Sequence, residues 1–504
     1  MRLASLAPLV LVSGAYALPV LTLPWFGQIP MDGLVAGCWG YFQDSQEERT
    51  IYQVLKEDSE YSRLVKAIDL SDRLVDFLDD PSNSATFFAV PNSALPHRRG
   101  QKPGDGDHDD DDKDVLPQGD PRGISHDLRG VVLQAEELDS KPDSPDKEKR
   151  KKAIGRIIRG ILAYHILPEK YKAADLVQNS TYATNLTLKD GSLDYQPLRL
   201  SVLSTSVPPR LRINTFVEVI KKDIEAKNGV IHQLNHPLIP PPSVFQEAFL
   251  VPEVFSYFTT AIQRVGLTSS VDRWHFPGND GKKGGFRGAT TTTVFAPTSG
   301  AFQRLPKKLK TFLFSPIGEK ALRKILEYHI VPDFVLHSDY AHNATSDESE
   351  IARFFDDVTK AQLDTTGVVF PFPEDVADFP FPAKPPVLPE LVYQYNVTLP
   401  TLLEDHHLRV KVARFKSKLP LPGPTRYFTR FKVNGRDVGP FDIPARNGAL
   451  HVITTLLDPR KGHHGGHHGG HHGGRRGRHG HGGKDDDNVW DDWEEWLPQW
   501  AMDN

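Results

Sequence analysis

Three short blocks occur twice in this chain, in the same order, and that duplication limits the fold more than any other feature. The first block reads Thr86-Phe87-Phe88-Ala89-Val90-Pro91 and returns as Thr293-Val294-Phe295-Ala296-Pro297. Each copy is a β-prone apolar run that stops at proline, as a strand entering a turn should. The second block reads Tyr164-His165-Ile166-Leu167-Pro168 and Tyr328-His329-Ile330-Val331-Pro332. The third is Asp223-Ile224 followed by Asn228-Gly229-Val230-Ile231-His232, matched by Asp442-Ile443 and Asn447-Gly448-Ala449-Leu450-His451. An ordered repeat of this kind is one folding unit built twice, and 504 residues suffice for two domains.

The copies are expected over residues 50–242 and 243–459, with a signal peptide at 1–17, an N-terminal extension at 18–49 and a tail at 460–504. Unequal block spacings place an insert in each copy. In the first, residues 97–152 are crowded with charge, proline and glycine, including Asp109-Asp110-Asp111-Asp112, and are expected to be disordered. The dibasic pair Lys149-Arg150 there is either a processing site or part of an uncut, solvated loop. In the second copy the insert lies within 338–426, where Phe370-Pro371-Phe372-Pro373 and Phe379-Pro380-Phe381-Pro382 favour extended backbone.

Between the blocks, Ile51, Val54 and Leu55, then Leu64, Val65 and Ile68, fall at helical spacing. Ile154, Ile157, Ile158, Ile161 and Leu162 form one apolar face running into Tyr164-His165, and Leu322, Ile325 and Leu326 do the same before Tyr328-His329. Strand-like segments follow at 198–203, 210–220 and 229–234, and in the second copy at 408–415 and 427–433. Helices early and strands late predict an α+β fold with an antiparallel sheet and helices segregated around it.

Arg2, the apolar run Leu3–Val12 and Ala15-Tyr16-Ala17 read as a secretory signal peptide. Four sequons, at Asn179, Asn185, Asn343 and Asn396, agree with export and N-glycosylation. The single cysteine, Cys38, permits no intrachain disulfide, so core packing must hold the domains. No later segment is apolar enough to span a membrane, and the C-terminus lacks the hydrophobic tail of a lipid-anchor signal. A net charge of −5 excludes a general nucleic-acid binder.

The three blocks together resemble the conserved elements of the fasciclin (FAS1) family, over roughly 50–241 and 244–459. The resemblance implies two FAS1-like domains, each a twisted β-wedge with flanking helices, serving extracellular adhesion or matrix contact. It marks Thr86, Phe88, Tyr164, His165, Asn228, Gly229 and His232 as the motif positions of the first copy. Thr293, Phe295, Tyr328, His329, Asn447, Gly448 and His451 are those of the second. The turn after the first block departs from the family pattern, with Val90 in one copy and Ser299-Gly300 in the other. No Arg-Gly-Asp tripeptide is present.

Histidine can act as a base, yet each Tyr-His block sits where a buried imidazole would pin a helix to a strand. No nucleophile elbow, phosphate-binding loop or cysteine metal cluster appears, so the chain is expected not to be an enzyme, and to require no cofactor. The expected role is a secreted or cell-surface glycoprotein, vacuolar delivery being a further route, that meets an extracellular matrix, cell-wall or cell-surface protein or glycan. Two alternatives stand beside it. The tract His463-His464, His467-His468 and His471-His472, spaced by glycines, suits Cu²⁺, Ni²⁺ or Zn²⁺ and suggests a metal-binding protein. The Tyr-His blocks motivate a glycan- or lipid-acting enzyme. Beyond the histidines, Trp490, Trp493, Trp496, Leu497 and Trp500 share one helical face, which needs a partner or the protein's own surface.

Overall fold

The computed structural model describes residues 48–95, 128–139, 142–206, 208–276, 284–344, 389–417, 425–462 and 490–503. The signal peptide, Cys38, Asp109–Asp112, both Phe-Pro pairs and the histidine tract lie outside these residues. The described residues from Arg49 onward form one compact unit.

Domain 1 opens with helices Ile51–Glu57, Ser62–Ile68 and Asp72–Asp79. The Thr50 hydroxyl accepts from Gln53 N while the Gln53 side chain accepts from Thr50 N, so two amides that a helix start leaves unpaired are satisfied. The strands are β1 (Ala85–Ala89), β2 (Ile166–Leu167), β3 (Thr181–Thr187), β4 (Pro197–Ser206), β5 (Pro209–Ile213), β6 (Val217–Ala226) and β7 (Gly229–Leu234). They form one seven-stranded sheet ordered β2-β1-β7-β6-β5-β4-β3.

In the second copy, domain 2, the first helix is Val244–Phe249, capped by the Ser243 hydroxyl. The elements of domain 2 include the hairpin β8 (Arg273–Phe276) and β9 (Gly285–Gly288), then β10 (Thr292–Pro297) and β11 (Ile330–Pro332). A second hairpin, β12 (Phe334–His337) and β13 (Tyr340–Asn343), follows. The remaining strands are β14 (Glu390–Pro400), β15 (His407–Ser417), β16 (Arg426–Val433), β17 (Arg436–Asp437), β18 (Ile443–Ala445) and β19 (Gly448–Ile453). Here the counterpart of the long sheet is divided into β11-β10-β19-β18 and β14-β15-β16-β17.

Both domains share a central triplet in which all three sequence blocks meet. β1 pairs antiparallel with β2 and parallel with β7; β10 pairs antiparallel with β11 and parallel with β19. The register repeats as well, with Phe88 opposite His232 and Phe295 opposite His451. Alternate side chains of β1 and β10 enter different cores. Phe87 and Val294 join the helical layers, whereas Phe88 and Phe295 point into the β-half of each wedge. Burial on both faces explains why the first block is a continuous apolar run.

Three expectations are corrected. The sheets are mixed rather than antiparallel, because the first and last blocks lie a whole domain apart in sequence and the long return allows parallel pairing. Residues 97–152 are not disordered throughout: helix Leu128–Asp139 and the start of helix Pro145–Tyr164 fall inside that stretch. Leu128, Val131 and Val132 pack there with Ile154 and Ile158, an apolar face short enough to be masked by the flanking charge. The strand expected at 210–220 is two, split by a turn in which Asn214 and Thr215 take φ of 48° and 73°. β14 lies within 338–426, the stretch expected to contain the insert of the second copy.

Candidate functional site

The motif side chains converge on the central triplets, and each makes the same bonds in both domains. His165 Nδ1 donates to Ile161 O at 2.9 Å, and Nε2 accepts from Leu238 N at 2.9 Å. His329 repeats this with Ile325 O at 2.7 Å and Leu457 N at 3.0 Å. A ring that donates at one nitrogen and accepts an amide at the other must be neutral. Burial pushes both rings down to about 4, outweighing the pull of the carbonyl. Each imidazole thus ties the end of a helix to the segment that leaves its domain.

The third-block histidines use the opposite tautomer. His232 Nε2 donates to Tyr171 O at 3.0 Å, and Nδ1 accepts from Asp223 N at 3.2 Å. His451 Nε2 donates to Leu336 O at 2.7 Å and Nδ1 accepts from Asp442 N at 3.2 Å. Burial lowers His232 and takes His451 down to about 4. Their rings lie 5.8 Å and 5.2 Å from Phe88 and Phe295.

The polar motif residues are fully committed. Thr86 Oγ1 donates to Glu169 O and accepts from Tyr171 N, as Thr293 Oγ1 does with Phe334 O and Leu336 N. The Tyr164 hydroxyl donates to Arg199 O and accepts from Asn214 Nδ2; Tyr328 matches it with His407 O and Asn434 Nδ2. Asn228 Oδ1 accepts from Ile51 N, the first amide of its domain's first helix, and Nδ2 reaches Leu78 O and Asp80 O. Asn447 does the same with Val244 N, Val271 O and Ala289 O. Glycine follows because a Cβ on Gly229 would stand 2.0 Å from Ala85 O, and one on Gly448 1.7 Å from Thr292 O. These residues build a scaffold; none offers a free group to a substrate. Buried and bonded at both ring nitrogens, His165 and His329 no longer motivate an enzyme.

The polar joint between the domains carried no sequence signature. Asp339, at the tip of the β12–β13 hairpin, accepts from Ser180 N at 2.8 Å, Thr181 N at 2.7 Å and Thr181 Oγ1 at 2.6 Å. Arg414 of β15 donates to Ser180 Oγ at 2.6 Å and Val177 O at 2.9 Å. Arg446 Nη2 meets Asp190 Oδ2 at 2.7 Å, and the Arg199 guanidinium lies 4.1 Å from the Tyr340 ring centre. Such charge-assisted bonds have fixed directions, so they define one mutual orientation.

Of the sequon asparagines, Asn179, Asn185 and Asn396 are exposed and Asn343 is half-buried. Asn185 and Asn396 lie on β3 and β14, each at the edge of its sheet. Thr181, the hydroxyl residue of the Asn179 sequon, is buried in the joint. The C-terminal tryptophan stripe docks on domain 2 as helix Trp493–Met502, with Trp493 5.1 Å from the Phe312 ring and Lys324 Nζ 2.9 Å from Trp500 O. Among the described residues no cluster of His, Cys, Asp and Glu is arranged to hold a metal. No helix among them is long and apolar enough to cross a membrane.

A Fasciclin domain model matches residues 144–240 and 253–368. The chain is 27% identical over 285 residues to a fasciclin-like arabinogalactan protein of Arthroderma benhamiae, covering 56% of this chain and 53% of that one. It is 27% identical over 199 residues to Stabilin-2 of Rattus norvegicus, covering 37% of this chain but 12% of the relative. A solved FAS1 domain pair from the insect cell adhesion molecule Fasciclin I aligns over 80% of this chain and 100% of that chain, at 15% identity and a TM-score of 0.27. With the same motif triplet built twice and the family model matching within both copies, the chain carries two regions in tandem that match the Fasciclin domain.

Proposed function

We propose that the protein is a secreted or cell-surface glycoprotein whose tandem fasciclin domains bind a matrix, cell-wall or cell-surface protein or glycan. The observation that carries this reading is the internal commitment of every polar motif group in both domains. With the interior devoted to holding shape, the outer faces are left for contact, and the joint at Asp339 and Arg414 presents both domains to one partner together. The kinship with a fasciclin-like arabinogalactan protein supports an extracellular setting. Export through the signal at 1–17 and glycans on Asn185 and Asn396 complete the reading; on the edge strands β3 and β14 such glycans would block edge-to-edge pairing. The mature secreted protein should co-sediment with isolated cell-wall glycans or matrix protein in a saturable way. Failure to bind any of these fractions, in glycosylated and deglycosylated forms alike, overturns the reading.

A second reading concerns the histidine tract. It is favoured by the anchoring of both its flanks, since Arg460 Nη1 meets Asp492 Oδ2 at 2.8 Å. On this reading His463, His464, His467, His468, His471 and His472 bind Cu²⁺, Ni²⁺ or Zn²⁺ as neutral imidazoles, and lose the ion in acid. Calorimetry at neutral pH without heat of binding for any of the three ions removes it.

A further inference from the structure

The junction between the domains forms an open cavity of about 570 Å³ that the adhesion reading does not use. The β5–β6 turn, the linker 236–242, the first helix of domain 2 and β18 wall it. Its volume falls in the range of small-molecule sites, and domain junctions are where such sites concentrate. Phe216, Ile239 and Leu250 line it while keeping 76%, 60% and 68% of their surface exposed. Large apolar side chains gathered around a concavity mark a surface that something covers. The floor is rigid: Leu238 is buried and its amide is held by His165 Nε2 at 2.9 Å.

The chemistry of the walls narrows the occupant. Pro237, Pro241 and Pro242 have no N–H and the Leu238 amide is taken, so a peptide finds little backbone to pair with. One acidic side chain lines the cavity. Glu247 is half-buried, and burial alone pushes its carboxyl up to about 7, with no hydrogen-bonding or charged neighbour pulling it down. The other titratable or charged groups lining this space are Arg129 and His236, engaged with each other at 2.7 Å. The Tyr164 hydroxyl, close enough for Glu247 to act on it, is bonded to Arg199 O and Asn214 Nδ2. A protonated Glu247 therefore presents an O–H to a mainly apolar hollow whose other charged and titratable side chains, Arg129 and His236, are engaged with each other.

We infer that this cavity binds an uncharged, mainly apolar small molecule bearing one carbonyl or hydroxyl oxygen, its body against Phe216, Ile239 and Leu250 and its oxygen on the Glu247 carboxyl. A carbonyl ligand needs Glu247 as a donor, so binding tightens as pH falls through about 7.

Nile red, a neutral dye with one ring carbonyl, tests this by fluorescence titration of the full mature chain at about pH 5.5 and about pH 8.5. One saturable site per chain is expected, roughly tenfold tighter at the lower pH. Leu250→Asp and Ile239→Asp change exposed side chains, so they should keep the unfolding midpoint while weakening binding about tenfold or more. Glu247→Gln keeps a neutral donor and should bind with little pH dependence. Absence of saturable binding, as when a segment of the chain itself fills the cavity, overturns the inference. So does binding that both aspartate variants leave intact, and a pH dependence that persists in Glu247→Gln overturns the role of the carboxyl.

Discussion

Asp223 and Asp442 occupy the same place in the two domains, with φ of 57° and 58°, and each donates its amide to the third-block histidine. Their carboxylates meet different fates. Asp223 is exposed and accepts from Ala173 N at 2.7 Å. Asp442 is buried, accepting from Ser338 N at 2.7 Å and from the Ser338 hydroxyl, with His337 Nδ1 3.7 Å away. Burial alone would raise the Asp442 pKa, but His337, His451 and Ser338 outweigh it and hold the carboxyl below its usual range. The cause of the difference is local. Domain 1 has the short helix Ala173–Leu176 beside its aspartate, whereas domain 2 has the β12–β13 hairpin, whose far side carries Asp339 into the joint. One inherited motif has become a solvated cap in one domain and part of a buried polar support for the interface in the other.

Acid should reveal the largest contrast. His165, His329 and His451 sit near pKa 4 when folded and near 6.5 when unfolded, so the unfolded chain binds more protons between those values. Stability is therefore full above about pH 6.5 and lost as pH falls toward 4, by an amount on the order of several kcal/mol. Hydrogen exchange across that window should show domain 2, with two such rings, opening before domain 1. Next in size, Gly229→Ala and Gly448→Ala should each cost about 4 kcal/mol in denaturant unfolding, because a Cβ collides with backbone in both triplets. A large cost in one domain alone would break the equivalence. Asp442→Ala should cost about 3 kcal/mol and Asp223→Ala about 1 kcal/mol. The left-handed backbone penalty is common to both, so their difference reports the buried carboxylate. At the joint, Asp339→Ala should cost about 2 kcal/mol and raise exchange only at Ser180, Thr181 and the hairpin.

Much of the scaffold was legible in the residues. Ile154, Ile158, Ile161 and Leu162 do form one buried helix face before Tyr164-His165, and Gly229 to Leu234 is a strand. The identity of the histidines' partners was not, since Leu238 and Leu457 offer only main-chain amides, and any residue except proline has one. Helix Leu128–Asp139 was hidden for another reason: its apolar run is short and lies in a stretch dominated by charge, and contact with Ile154 and Ile158 makes it a core face. Glu247 looked like any helical glutamate until the proline linker closed over it.

Sequence by itself determined the duplicated unit, its three blocks, its α+β character and the match to the Fasciclin domain. Those features rest on contacts made within each copy, so the same residues had to appear twice at matching places. Only the tertiary structure decided the parallel pairing, the joint at Asp339, Arg414 and Arg446, the burial of Asp442 and the cavity beside Glu247. Each of these depends on groups far apart in the chain whose meeting leaves no periodicity or motif behind.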